Sequence, residues 1–382
     1  MAQLEASGIT FMQATPATWR LLLEAGWKGN PRLKLLCGGE ALPRELAGRL
    51  LGCGSSLWNM YGPTETTIWS ATSFVKPDSG AVPIGRPIAN TQFFVLDPSG
   101  EPTPIGVPGE LYIGGDGVAR GYFNRSELTV DRFVPDGFRK EPGARLYKTG
   151  DLVRYRPDGT IEFLGRLDNQ VKVRGFRIEL GEIEALLIQY PGMRETVVVT
   201  QEDAFGDKRL VAYVAASPQP ASGDLRGFLA KQLPDYMVPA IFVAIEALPR
   251  TPNGKVDRRS LPAPDPAKIR GEAPYVAPRS PLERQLADIW EEVLSLDRVG
   301  IEDNVFELGA DSIHLFQITA RANRAGILLS PQQLLLHRTI AGLSGELHLI
   351  NGNSRESLAS AIVPLPREKF RKKRSESEWV RK

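Results

Sequence analysis

The residues best suited to chemistry in this chain sit in a few short segments. Gly309-Ala310-Asp311-Ser312 presents a serine hydroxyl where an amphipathic helix begins. The unpaired N–H groups and positive dipole end of such a helix suit a covalently attached phosphate, although serine at a helix start is also a common N-cap. Upstream, Asn253-Gly254-Lys255 forms a turn that delivers one lysine. Further upstream, Asn59-Met60-Tyr61-Gly62-Pro63-Thr64-Glu65 packs an aromatic ring, a glycine–proline turn, a hydroxyl and a carboxylate into seven residues. One reading is a nucleotide edge, with Tyr61 stacking on a base, Thr64 bonding a phosphate and Glu65 offering the hard oxygen that Mg²⁺ prefers. The other is a β-turn with a buried tyrosine. Tyr147-Lys148-Thr149-Gly150-Asp151-Leu152 adds a carboxylate on a turn, a group able to hold both hydroxyls of a ribose.

The elements that must position these residues are legible in outline. At 382 residues the chain predicts two or three domains. Its 42% hydrophobic and 24% charged residues are ordinary for globular protein. A net charge of +2 gives no electrostatic footprint for nucleic acid. Two cysteines, Cys37 and Cys53, exclude a disulfide framework and suit a reducing cytoplasm. No apolar run is long enough to cross a bilayer, and the start lacks a signal-peptide pattern.

Thr15-Pro16-Ala17-Thr18 before Trp19, Leu22 and Leu23 predicts a capped amphipathic helix. Leu33 to Leu36 reads as a short buried strand ending at Gly38-Gly39, and Gly85 to Phe163 as a curved β-structure punctuated by turns at 98–100 and 157–159. A smaller α+β unit follows. In it Val171 and Val173 alternate with Lys172 and Arg174, and Ile183, Leu186, Leu187 and Tyr190 fall at helical spacing. Residues 263–279, rich in proline and alanine, describe a stiff linker. Ser280-Pro281-Leu282-Glu283 is a strong helix start, and Leu282, Leu286, Ile289, Trp290, Val293 and Leu294 make one apolar face of a helical bundle. The basic run 369–374 reads as a solvated tail.

The order of these segments carries a resemblance. The 59–65 segment comes first, then Gly109-Glu110-Leu111 through Tyr122 and the 147–152 segment. Gly165-Arg166-Leu167-Asp168-Asn169-Gln170-Val171-Lys172-Val173-Arg174-Gly175, Leu233-Pro234-Asp235-Tyr236-Met237-Val238-Pro239 and Asn253 to Arg258 follow, ending with Asp303 to Ser312. In this order they resemble an adenylation domain of nonribosomal peptide synthetases followed by a peptidyl carrier domain.

The resemblance implies a multidomain fold: a truncated α/β adenylate-forming core, a small α+β subdomain and a four-helix carrier bundle. The expected boundaries are 1–167, 168–262, the linker 263–279, 280–349 and a tail 350–382. It further implies that Gly38, Gly39 and Glu40, with Asn59 and Tyr61, border an adenine, while Thr64 and Glu65 face the phosphates and Mg²⁺. Asp151 and Arg166 would hold the ribose. Lys255 would bridge the α-phosphate and the substrate carboxylate, stabilising charge as an acyl-adenylate forms. Asp168 would be the hinge on which the small subdomain withdraws Lys255 and admits the carrier arm, and Gly175 would line the thiol's path. Ser312 would carry 4′-phosphopantetheine, with Ile313, Phe316 and Ala320 burying the other face of its helix. Gln13, Leu36, Gly38, Met60, Ile68 and Trp69 match the family's specificity pocket and imply glycine, with alanine the natural competitor.

The implied cofactors are thus ATP, Mg²⁺ and 4′-phosphopantetheine. The implied partners are an amino acid, a phosphopantetheinyl transferase and either other synthetase modules such as condensation and thioesterase domains or a missing N-terminal half. The chain departs from the family in opening at Met1-Ala2-Gln3, already inside the large subdomain, without the glycine-rich phosphate loop. That loop's N–H donors are hard to replace, so the expectation is a fragment or split synthetase that does not adenylate alone. A non-catalytic tether using only the carrier domain is the alternative reading. A free-standing acyl-CoA-type ligase is disfavoured by the fused carrier.

Overall fold

The structure is a computed structural model that describes residues 8–352 apart from 79, 140, 203–207, 265–274 and 311. The expected linker 263–279 therefore lies partly, and the tail 350–382 with its basic run almost wholly, outside the described residues.

The first unit begins with β1 (Phe11–Ala14), α1 (Pro16–Glu24), β2 (Lys34–Gly38), α2 (Arg44–Leu51), β3 (Ser56–Tyr61), β4 (Ala71–Phe74) and β5 (Arg86–Pro87). These strands form one sheet in the order β1-β2-β3-β4-β5, parallel from β1 to β3 and antiparallel beyond. As the sequence predicts, Thr15 caps α1, its Oγ1 accepting from the N–H of Thr18, and Pro16 occupies the first turn. Both helices and the sheet bury Trp19, Leu35, Leu46, Leu50 and Leu57. A second, antiparallel sheet is built from β6 (Thr91–Leu96), β7 (Gly109–Gly115), β8 (Phe133–Pro135), β9 (Arg145–Tyr155) and β10 (Ile161–Arg166), in the order β10-β9-β7-β6 with β8 on β9. The expected curved β-structure is present, but it contains α3 (Ser126–Arg132). This helix has no buried residue, which is why no apolar period announces it.

The second unit starts with a hairpin, β11 (Gln170–Val173) and β12 (Phe176–Glu179), and continues with α4 (Leu180–Leu187), β13 (Met193–Glu202), β14 (Lys208–Ala216), α5 (Ser222–Ala230) and β15 (Ile241–Ala244). β13 and β14 pair antiparallel, β14 and β15 parallel. Ile183, Leu187, Val198, Ala212, Leu225 and Leu229 close the core on one face of this sheet. On the other face the Tyr213 hydroxyl donates to the Pro262 carbonyl at 2.6 Å, fastening the chain that leaves the unit.

The third unit is four helices: α6 (Pro281–Leu294), α7 (Ser312–Arg324), α8 (Pro331–His337) and α9 (Ile340–Gly352). Ser280 caps α6 by accepting from the N–H of Glu283 at 3.1 Å, while the Glu283 carboxylate reaches back to the N–H of Arg279 at 2.7 Å. The full reciprocal capping box stands instead at Ser330 and Gln333 of α8. Trp290, Leu286, Val293, Leu315, Ile318 and Leu343 form the core. One expectation is corrected here: Phe316 is 54% exposed, and the buried stripe of α7 runs through Leu315, Ile318 and Ala322. Both stripes fit a helical period, and packing against α6 selects the second. Phe316 lines a cavity shared with the second unit.

Trp290 is fully buried, so Trp290→Ala is expected to destabilise the four-helix unit by about 3–5 kcal/mol. Denaturant unfolding monitored by hydrogen exchange should show the loss in residues 286–343 and not in the first sheet.

Candidate functional site

Strand register assembles the residues of the expected specificity pocket. Gln13 pairs with Leu36, Leu36 with Trp58 and Gly38 with Met60. The pleat therefore puts Gln13, Leu36, Gly38 and Met60 on one face of the sheet. Asn59 falls on the other face, buried, with its amide donating to the Pro83 carbonyl at 2.8 Å. Its role here is to hold a loop, and β3 does not bring it together with Gly38.

After β3 the chain folds back through a 3-10 turn, Thr64–Thr66. Thr67 and Ile68 then take φ of 64° and 69°, a strained conformation for β-branched residues that concentrates at functional sites. The Thr67 hydroxyl, donating to the Gly117 carbonyl at 2.7 Å, helps hold it. The strain directs Trp69 over β2, where a Cβ added at Gly38 would lie 2.5 Å from the indole ring. Gly38 is required by that close approach. Ile68 is 65% exposed and Thr64 is exposed.

Beside this pocket the Tyr61 hydroxyl donates to Asp151 Oδ2 at 2.5 Å, and Arg166 Nη1 donates to Asp151 Oδ1 at 2.7 Å. Arg166 also grips Asp168, its Nε donating to Oδ1 at 2.7 Å, so the ribose candidates and the expected hinge form one network. Burial and the neighbouring Asp151 carboxylate raise the Tyr61 pKa well above the usual phenol range.

Three residues without an assigned role in the sequence reading complete the site. Lys172 Nζ lies over the Tyr61 ring, 5.7 Å from its centroid. Burial lowers its pKa, against the opposing pull of Asp151. Arg177 donates from Nη1 to Glu65 Oε1 and Oε2 at 2.8 and 2.7 Å, and Tyr122 donates its hydroxyl to Glu65 Oε1 at 2.6 Å. Burial alone would raise the Glu65 pKa, but these two donors outweigh it and hold the carboxyl below its usual range. The pair therefore contributes above the ordinary carboxylate pKa and loses that contribution as pH falls through the depressed one. A signal for these cations exists in the sequence: Lys172 and Arg177 face each other across the hairpin. Like charges directly opposite are unfavourable unless acids receive them.

Lys255, by contrast, is exposed on its turn. It is the hairpin, not the Lys255 turn, that meets the nucleotide-type residues. The hairpin tip is tight: Gly175 has φ +82° and an added Cβ would lie 2.6 Å from Thr15 Cγ2, while Gly175 Cα itself sits beside Gly39.

The cluster of Tyr61, Asp151, Arg166 and Lys172 suits a nucleotide, with an aromatic face, a carboxylate and cations together. Glu65 does not suit a metal ion in this arrangement, since both its oxygens are bonded to Arg177. Among the described residues no group of three or more His, Cys, Asp or Glu is placed to hold one, and no helix is long and apolar enough to cross a membrane. In the third unit α7 opens at Ser312; Asp311 and the Ser312 side chain lie outside the description. A thirteen-residue helix starting at this serine suits a phosphate ester there.

Gly175→Ala should lift the hairpin from Thr15, exposing residues 170–179 to faster hydrogen exchange. Thr15→Ser removes Cγ2 but keeps the capping hydroxyl. The Gly175→Ala/Thr15→Ser double variant should therefore recover the steric part of the loss, leaving only the positive-φ strain of about 1 kcal/mol.

Comparison with known proteins agrees with the geometry. Residues 1–123 match the AMP-binding enzyme family, 182–255 the AMP-binding enzyme C-terminal domain and 284–347 the phosphopantetheine attachment site. Together these cover more than half of the chain. One of the linear gramicidin synthase proteins of Brevibacillus parabrevis is 47% identical over 372 residues, 95% of this chain and 5% of that protein. The dimodular nonribosomal peptide synthase of Bacillus subtilis (strain 168) is 48% identical over 348 residues, 91% of this chain and 14% of that protein. The chain thus spans a small part of the curated relatives it matches. The structure of a holo NRPS protein containing adenylation and PCP domains, bound to a vinylsulfonamide inhibitor, aligns with a TM-score of 0.75 at 29% identity. That alignment covers 91% of this chain and 58% of the other. With AMP-binding segments, a phosphopantetheine attachment domain and these relatives in one polypeptide, the chain belongs to the nonribosomal peptide synthetase family, as the C-terminal part of an amino-acid adenylation domain fused to a peptidyl carrier domain, and its cofactors are those of that family, ATP, Mg²⁺ and 4′-phosphopantetheine.

Proposed function

We propose that this chain acts in loading an amino acid, as adenylate, onto a thiol tethered at Ser312. A carboxylate displaces pyrophosphate from ATP, and the thiol then displaces AMP from the acyl carbon. The observation that carries the reading is the Tyr61–Asp151–Arg166 network with Lys172 over the ring, in one chain with a helix that opens at Ser312. Asp151 and Arg166 position the ribose, and Tyr61 offers its face to the base side of the nucleotide. Lys255 serves adenylation from the opposite orientation of the small subdomain, with Asp168 as pivot. In the orientation described, Gly175 keeps the path to the pocket free of a side chain. The attached 4′-phosphopantetheine supplies the accepting thiol. We take the domain limits at 167, 262 and 280, a division supported by the separate cores on either side of each.

The pocket supports glycine as substrate. Trp69 occupies the space above Gly38, and Met60 pairs across from it, so a substrate side chain would meet the indole. Discrimination against alanine rests on one methyl group and amounts to about 1–3 kcal/mol. A phosphopantetheinyl transferase must modify Ser312, and other synthetase modules, including condensation and thioesterase domains, would receive or release the product.

Intact-protein mass tests this. With a transferase and coenzyme A, a phosphopantetheine increment is expected on the wild type and not on Ser312→Ala. With ATP, Mg²⁺ and glycine, and a polypeptide carrying the phosphate-loop segment of an adenylation domain supplied in trans, a further glycyl increment is expected, lost in Lys255→Ala and weaker with alanine. Absence of the first increment would overturn the carrier role. Its presence without the second would overturn activation by this chain.

A further inference from the structure

The carrier unit touches the small subdomain through Arg226. Arg226, on the face of α5, donates from Nη2 to the Ala240 carbonyl of its own unit at 2.8 Å and to the Phe306 carbonyl of the carrier at 3.1 Å. Its guanidinium lies 5.8 Å from the Phe242 ring centroid, flattened against its own core. Beside it the carrier's exposed Glu307 comes up to the first turn of α5, where a methyl group at Gly223 would lie 3.9 Å from Oε1. A carboxylate at that position meets both the positive helix end and the Arg226 charge. The rest of the facing surfaces is not filled, because a cavity of about 740 Å³ lies between them.

We propose that Arg226 is a docking latch, a positioning residue by which the small subdomain holds the carrier domain through the Phe306 carbonyl and Glu307, six and five residues before Ser312. Arg226 is held against desolvation, which lowers its pKa, by Glu307 as its opposing charge, so undocking leaves a guanidinium short of two of its partners. The carrier side of the contact is the loop leading into α7. Fixing that loop fixes where the serine stands relative to the hairpin tip, with α7 coming against α1 of the large subdomain as well. Apolar packing at the contact is confined to its edge, where Gly309 comes against Ile241, while the cavity keeps the remaining apolar surfaces apart. A latch of one charge-assisted bond and one carboxylate is strong enough to orient the carrier and weak enough to release it to a next partner. The inference rests on the reading of Ser312 as the carrier serine.

The test uses the full chain in holo form, with hydrogen exchange read by mass spectrometry. In Arg226→Ala, residues 303–309 should exchange roughly tenfold faster, while 286–294 in the carrier core and 210–216 in the small sheet keep wild-type protection. Should Arg226→Ala lose protection in 210–216, Glu307→Lys decides: this exposed carrier substitution sets a cation against Arg226 and should expose 303–309 without touching the small subdomain. Unchanged exchange of 303–309 in Glu307→Lys, with Ser312 still taking phosphopantetheine, would overturn the latch. Failure of Ser312 to take phosphopantetheine at all would overturn the carrier reading instead, independently of the exchange data.

Discussion

Two cations facing each other across a short hairpin are the constraint on which this structure turns. Lys172 and Arg177 are register partners on β11 and β12, and a two-stranded ribbon bearing like charges side by side gains nothing from standing alone. Arg177 settles on Glu65, and Lys172 on the Tyr61 ring within the field of Asp151. The acids belong to the large subdomain and the bases to the small one. Charge balance therefore closes the two together and brings Gly175 to Thr15 and Gly39. Breaking such a partly buried pair by removing one partner costs more than the pair gains against an apolar substitute, so the hairpin has one well-defined seat.

Seating the hairpin has consequences at both ends of the small subdomain. The turn bearing Lys255 stands exposed, so the same surface of the core meets one lysine, Lys172, rather than the other. Arg166 bonds to both Asp151 and Asp168, tying the nucleotide residues to the segment on which the small subdomain would pivot. At the far side α5 presents Arg226 to the carrier. One orientation thus sets Gly175 at Thr15 and Gly39, Lys172 at the Tyr61 ring and the carrier loop at Arg226 at once, the arrangement on which the proposed hinge at Asp168 would act.

Much of this was legible in the sequence where local chemistry decides. Thr15-Pro16 and Ser280-Pro281 start helices because a hydroxyl cap and a preset φ act within one turn. The order of motifs from Asn59 to Ser312 was enough to name the family. Legibility ended where a side chain's environment comes from another unit. Lys172 alternates with valines and so reads as a solvated strand face, yet that face meets Tyr61. Phe316 fits the apolar period of α7 but lines an inter-unit cavity, and Leu315, Ile318 and Ala322 take the core. Asn59 and Tyr61 share one face of β3 while Met60 faces Gly38 on the other, a division that the pleat shows and the motif alone does not. The strain at Thr67 and Ile68, which brings Trp69 to Gly38, has no one-dimensional signature at all.

The central claim is that the Glu65–Arg177 pair seats the hairpin, and a double-mutant cycle measures it most directly. Glu65→Gln, Arg177→Gln and the double variant would be compared by hydrogen exchange of residues 170–179 at neutral pH. The account predicts that either single change costs about 3–5 kcal/mol of local protection and that the double variant costs little more than either alone, giving strong coupling. Additive losses, or protection unaffected by Arg177→Gln, would mean that the hairpin is seated by something other than this pair.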